Sequence, residues 1–402
     1  MPAIRSHLAP DSPHRMLAID QRSALILLLV ASTLGVMAGP MVMPVIEILR
    51  ADLGLTGTEA GLIVTVHGLA IAVVGPITGA AVDRFGIRLP LVVGLVIYGI
   101  FGTAGAILTD YTALIASRIV FGVGAALVFT CTTTAILTMW KSPLRGRVMG
   151  WRTTATSAGG VVFPLFAGTI ASLVSWHAAF AVYLVGLPLA VIAMRVLPKR
   201  PVLAPSLGGN GILSMLRKPS LLGVYGLFLM MAVLVYSIAV FIPQRLGELG
   251  ITSPIAASIF MAVMAGAMSL AGLFYGRLRR ILSKFTILRI AAACWTAAYL
   301  TLGLSDSIPV MILATMALGA GNGLGFSTLS LFVGDLVPER LLGRGTALSA
   351  TVFFLGQFLT PLLLGPVMHA TSINAGFLGV GAAALAIFAA LCLIRPAPEV
   401  RG

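Results

Sequence analysis

Charge is scarce in this 402-residue chain: only 9% of its residues are Asp, Glu, Lys or Arg, and the acids number 12. Soluble domains carry charge on roughly a quarter of their residues. With 59% hydrophobic residues and a mean hydropathy of +1.06, nothing is available to cover a water-facing surface, so the chain is built for a bilayer. Cysteine is scarce too. Cys131, Cys294 and Cys392 stand far apart in apolar sequence, a spacing that excludes a disulfide framework and a zinc site. No HExxH pair, Walker loop or GxSxG elbow occurs, and no set of nucleophile, base and oxyanion donors, so neither an enzyme nor a cofactor is expected. Without an ATP site, uphill work would draw on an ion gradient or a separate subunit. The first 22 residues are polar and irregular, and the apolar run behind them is too long for a signal-peptide core, so that run is expected to be the first membrane span.

What is present is a series of apolar runs. Breaks at charges and Gly/Pro clusters predict twelve spans near 24–46, 60–82, 89–109, 112–138, 147–172, 177–196, 220–243, 254–276, 286–304, 308–332, 345–368 and 374–394. With the N-terminus in the cytoplasm, 23 of the 26 basic residues fall in cytoplasmic segments, leaving Arg50 and Arg245 outside and Arg118 within a span. That bias sets both termini inside and accounts for the net charge of +14 without nucleic acid.

The segment 197–219, with its prolines and Gly208-Gly209-Asn210-Gly211, reads as a cytoplasmic linker. It divides a tail (1–22) and a six-span bundle (23–196) from a second bundle (220–394) and a short tail (395–402). An offset of 197 residues places Gly122 and Gly124 on Gly319 and Gly321, Arg147 on Arg344, Pro164 on Pro361 and Gly168 on Gly365. At a looser offset of 193, the stretch beginning at Gly79 recurs at Gly272, with Gly276 in place of Asp83. The expected fold is therefore an all-α membrane protein of twelve helices, built as two parallel six-helix repeats. Such repeats are related by an axis along the membrane normal and enclose a site near the midplane.

The stretch "GAAVDRFGIR" (79–88) carries Gly79, Asp83, Arg84, Gly86 and Arg88 in the pattern G-x-x-x-D-R-x-G-x-R. It resembles the loop between spans two and three of the major facilitator superfamily, although Ile87 stands where a basic residue is common. The resemblance covers essentially the whole chain. It implies alternating-access transport and makes the loop a cytoplasmic latch between the halves in the outward-open state. A carboxylate facing a helix N-terminus beside arginines contributes about 0.3–1 kcal/mol when exposed. The plainer reading is positive-inside decoration.

Arg118 lies about a third of the way into its span, where a guanidinium costs at least ~2.5 kcal/mol and needs a cavity or a partner. Its repeat mate is Thr315, so the scaffold does not require the charge. Arg118 and Gly122 resemble the superfamily's R-x-x-x-G motif of proton-linked members; the alternative is an arginine tied to helix-end carbonyls. Gly160, Pro164 and Gly168 resemble the fifth-span motif of drug–proton antiporters, with Phe163 replacing its glycine. Because Pro361 and Gly365 repeat them, a bend and close packing wanted in both halves explain them equally well.

The first-span acid usual in those antiporters is absent from 37–44, and Glu47, Arg50 and Asp52 read as a solvated outer cluster. His67, well inside span two, is the one group there able to take a proton near neutral pH; the alternative is a hydrogen-bonded packing residue. Tyr236, Gln244, Asn322 and Gln357 are cavity candidates or interhelical hydrogen-bonding residues. Met230, Met231, Met261, Met264 and Met268 suit a cavity for varied apolar compounds, or ordinary packing.

The leading expectation is a monomeric inner-membrane secondary transporter that exports a small amphipathic compound in exchange for protons. The alternatives are exchange or uptake of a small organic anion neutralised by Arg118, which the segment 49–55 also suggests by resemblance, and a non-transporting receptor or scaffold.

Overall fold

The computed structural model describes residues 19–140, 144–197, 218–338 and 341–394. Most of the linker 197–219, the tail 395–402 and all but the end of the tail 1–22 lie outside the described residues. In chain order the helices are α1 (Ile19–Met37), α2 (Ile46–Asp52), α3 (Gly57–Phe85), α4 (Arg88–Thr103), α5 (Tyr111–Met139), α6 (Leu144–Leu173), α7 (Trp176–Ala181), α8 (Gly186–Val196), α9 (Pro219–Glu248), α10 (Pro254–Ile281), α11 (Lys284–Leu304), α12 (Ile308–Leu336), α13 (Leu342–Ala370) and α14 (Ile373–Leu393). Eleven stretches among the described residues are long and apolar enough to cross a membrane, and the shorter Arg22–Gly35 is a twelfth apolar helix.

Helix starts follow local chemistry. Thr56 and Glu59 form a capping box at α3, and the Asp110 carboxylate accepts from Ala113 N–H at 2.7 Å. Ser175, Ser283 and Ser372 cap α7, α11 and α14 in the same way. Gly86 ends α3 at φ +73°, a conformation that a side chain disfavours, and its N–H donates to Val82 O at 2.8 Å. One glycine of the 79–88 stretch is thus a helix stop that lets α4 begin two residues later.

Two expectations require correction. The first span is not a continuous helix over 24–46: α1 stops at Met37, a turn carries Gly39-Pro40, and a 3₁₀ turn (Met43–Val45) leads into α2. With α1 ended and the Val42 N–H turned to Gly39 O, the carbonyls of Leu34 and Ala38 are freed inside apolar surroundings, where each needs another donor. Two buried tyrosines supply it, Tyr98 Oη donating to Leu34 O at 2.8 Å and Tyr183 Oη to Ala38 O at 2.8 Å. Second, Arg152, counted with the cytoplasmic charges, is not in a loop. Helix α6 already runs from Leu144, so Arg152 sits about two turns inside it.

The 197-residue repeat is a repeat of contacts. A Cβ on Gly122 would lie 2.5 Å from His67 O and 2.7 Å from Ala70 Cβ; one on Gly319 would lie 2.2 Å from Met264 O and 3.1 Å from Ala267 Cβ. Gly124 meets the backbone of Gly94 and Tyr98, and Gly321 meets Ala291 and Trp295. Each neighbour is displaced by the same 197 positions as the glycines. Between the halves, α13 packs along α3 and α6 packs along α10, the same pairing made twice.

Candidate functional site

The two halves meet at one end of the molecule. Ser258 Oγ donates to Pro164 O at 2.7 Å, and in the mirrored position a Cβ on Gly61 would fall 2.7 Å from Pro361. Gly168 faces Pro254 O, and Gly365 faces Thr58. Gln244 bonds Val240 O at 2.9 Å and reaches Gly57 O across the interface at 3.4 Å. The outer cluster is not simply solvated, because Glu47 pairs with Arg50 at 2.6 Å, is only 12% exposed and packs against Gly247 of the second half.

Seven-residue steps along the facing helices show where contact ends. On α3, Gly61 and Gly68 touch the second half, whereas a Cβ on Gly75 would find no neighbour within 4 Å. On α10, Ser258 and Ala265 touch the first half, whereas Gly272, the repeat mate of Gly75, is likewise open. The halves therefore part between the second and third steps on both sides, leaving a cleft toward the end that carries Arg84.

At the floor of this cleft the symmetry breaks. His67 Nε2 and Gln357 Nε2 lie 3.1 Å apart, a hydrogen bond between α3 and α13, and both residues are buried. With the amide donating, the imidazole Nε2 accepts. Gln357 Oε1 has no hydrogen-bond partner among the described residues. Tyr236 stands near His67, each ring 3.9 Å from a Cβ built on Gly39, and its ring contacts Phe353. Phe129 of α5 meets Phe354 of α13 edge to face at 6.4 Å. The repeat mates of His67 and Gln357 are Met264 and Gly160, so the polar crossing is made on one side only.

Arg118 is elsewhere. It is fully buried inside the first half, where Nη2 donates to Gly102 O at 2.6 Å and the guanidinium lies 4.8, 4.7 and 5.2 Å from the rings of Phe121, Phe180 and Tyr183. Gly102 closes the last turn of α4, where freed carbonyls and the helix dipole favour a cation. Phe121 stands between Arg118 and His67, 5.7 Å from the imidazole. Asn322, also fully buried on α12, has neither amide atom hydrogen-bonded among the described residues. Gly79 and Asp83 fall on the last turns of α3, the Asp83 side chain lying outside the described residues; Arg84 is exposed beside Phe85, and Arg88 opens α4.

The structure thus gathers His67, Gln357 and Tyr236, leaves Gln244 at the closed end, and places Arg118 inside the first half and Asn322 on α12 of the second. Two residues of the cleft were not singled out from the sequence, Arg152 and Phe129. Arg152 Nε donates to Ser32 Oγ at 3.2 Å, with its guanidinium 5.3 Å from the Phe129 ring. The available signal was that 152 lies within the fifth span as bounded, 147–172.

A bundle of two equivalent helical halves, closed at one end around a polar crossing, defines a class of multi-pass membrane protein. The family model of the Major Facilitator Superfamily matches residues 25–361, and the chain belongs to that superfamily. Among curated relatives, it is 30% identical over 155 residues to the hexuronate transporter of Bacillus subtilis (strain 168), covering 38% of this chain and 36% of the relative. It is 27% identical over 180 residues to the multidrug efflux pump SdrM of Staphylococcus aureus (strain N315), covering 45% and 39%. It is 26% identical over 133 residues to the quinolone resistance protein NorA of the same species, covering 33% and 34%. The matched stretches span only about a third to two-fifths of these relatives' lengths. Among solved structures, a mutant of the nucleoside transporter NupG matches with a TM-score of 0.79 at 12% identity, over 92% of this chain and 98% of that one. A bacterial homolog of the human lysosomal transporter Spinster, inward-facing and unoccupied, matches with 0.74 at 16%, over 94% and 97%. At these identities the structural likeness establishes the fold.

Proposed function

We propose that this protein is a secondary transporter, not an enzyme, which moves a small amphipathic compound out of the cell in exchange for protons by alternating access. The observation that carries the reading is the floor of the cleft, where an ionisable side chain, His67, is hydrogen-bonded across the two halves to Gln357. Proton uptake at His67 would turn Nε2 from acceptor to donor and oblige the Gln357 amide to turn over, so protonation and the contact between halves are coupled. The efflux pumps among the relatives support export, and positive-inside charge supports an inner-membrane chain with both termini cytoplasmic. On that orientation the cleft opens to the cytoplasm. The 79–88 loop would then latch the halves in the opposite state, and the bundles 23–196 and 220–394 would rock as units about one central pocket in a monomer.

The test is performed in energised inverted vesicles. Addition of a transported compound is expected to dissipate the pH gradient, and His67→Ala is expected to abolish that dissipation while downhill transport persists. Retention of pH-driven transport by His67→Ala would return His67 to a packing role.

Exchange or uptake of a small organic anion is a second reading, supported by the hexuronate transporter among the relatives. Arg118 does not serve it in this conformation, because its charge is turned to Gly102 O and three aromatic rings rather than to the cleft.

A further inference from the structure

We infer that Arg152 is the anion-recognition point of the cleft and that the compound bound there carries a carboxylate or comparable anionic group on an apolar body. This rests on the transport reading and narrows its substrate class. Three observations carry it. First, Arg152 lies on the open side of the junction, about two turns along α6 from Gly160, where α6 meets α10 through Ala265. It is half-buried between α1 and α5, reaching Ser32 and the Phe129 ring. Second, its charge has no counterion among the described residues: no carboxylate there pairs with it, and its described polar partner, the Ser32 hydroxyl, is neutral and already donates to Leu28 O at 2.7 Å. A guanidinium withdrawn from water without an acid is costly, and the one hydrogen bond described for it uses Nε, which leaves the Nη edge of the fork free of any described protein acceptor. Third, the repeat does not ask for it. Its mate, Ser349, bonds its own helix at Gly345 O, whereas Arg147 keeps an arginine mate in Arg344. Phe129 is partly exposed and packs on Phe354 across the cleft, so an apolar wall adjoins the cation. A charged head on Arg152 with a flat apolar body against Phe129 is the ligand this arrangement fits.

The experiment measures equilibrium binding to the purified full chain in detergent, using 1-naphthoate and its uncharged amide, 1-naphthamide, as matched probes. Wild type is expected to bind the carboxylate saturably and more tightly than the amide. Arg152→Gln is expected to weaken carboxylate binding by roughly ten-fold or more, the scale of a lost charge-assisted hydrogen bond, with amide binding unchanged. Arg152→Lys, which keeps the charge without the fork, is expected to fall between, and guards against a Gln variant that fails to fold. Equal loss for both probes, no loss for either, or no saturable carboxylate binding by wild type would overturn the assignment. Binding requires no flux, so charge-selective binding without transport would overturn the transport reading alone. Transport in vesicles with a charge-indifferent Arg152→Gln would overturn this inference alone.

Discussion

A buried polar side chain in a membrane protein is informative through what it leaves unpaired. Arg118 and His67 read alike in sequence, each a lone ionisable group inside a span, yet their surroundings assign them different work. Arg118 caps the end of α4 within a cage of three rings, where each cation–π contact contributes about 0.5–2 kcal/mol. Replacement by Gln should therefore act on the first bundle itself, lowering stability by about 2–4 kcal/mol as expected for breaking a buried charge–carbonyl arrangement. Thermal unfolding in detergent checks this; an unchanged melting temperature combined with lost proton coupling would give Arg118 a direct part in transport. For His67 the decisive atom is its partner. Gln357→Leu deprives Nε2 of its hydrogen bond, at a cost of about 1–3 kcal/mol to the state in which the halves meet there. The expected result is a lower melting temperature and a shifted pH profile of transport, the second being the effect that simple loss of packing would not produce.

At the scale of the helix, glycine spacing decides how far two elements run together. Gly61 and Gly68 let α3 lie against α13 so closely that a Cβ on Gly68 would be 2.9 Å from Phe354 O, a backbone atom unable to move aside. Gly68→Leu should therefore bar the closed end from forming and shift the population toward the alternative state. Spin labels at Ala51 and Thr252, which line one cleft at that end, should report a longer distance in Gly68→Leu than in the same pair without it. An unchanged distance would show that the helices accommodate the side chain by sliding. Gly75→Leu, one step further along the same face and open, is the matched control expected to leave the distance unchanged. The broken first span belongs to this scale too. Its Gly39-Pro40 break was visible in the sequence as residues, but the tyrosines that make it tolerable come from α4 and the 3₁₀ turn Val182–Val185, remote positions that no local pattern connects.

For the molecule as a whole, alternating access requires two arrangements of the same halves that differ by only a few kcal/mol. The present arrangement is held at one end by contacts made twice, α13 on α3 and α6 on α10. The 79–88 loop lies at the other, open end, where a latch would act only after the halves had rocked. On that proposal Asp83→Asn weakens the opposite state, and is expected to slow turnover while leaving substrate affinity within a few fold. A large loss of affinity with unchanged turnover would contradict a latch and place the residue at the binding site.

The duplicated architecture was legible without coordinates because hydropathy, the bias of Lys and Arg, and a register of 197 residues are all linear properties. Each half buries the same glycines against the same neighbours, so packing constraints surface as recurring letters. The candidate centre was not legible in that way. His67 and Gln357 are almost 300 positions apart and stand where the repeat is broken, so neither period nor symmetry announces their contact. Whether a guanidinium in a span is consumed by a carbonyl, as at Arg118, or offered to a cleft, as proposed for Arg152, depends on which helix ends and rings lie within a few ångströms of it. That distance is set by the folding of twelve spans against one another, and only the tertiary structure decided it.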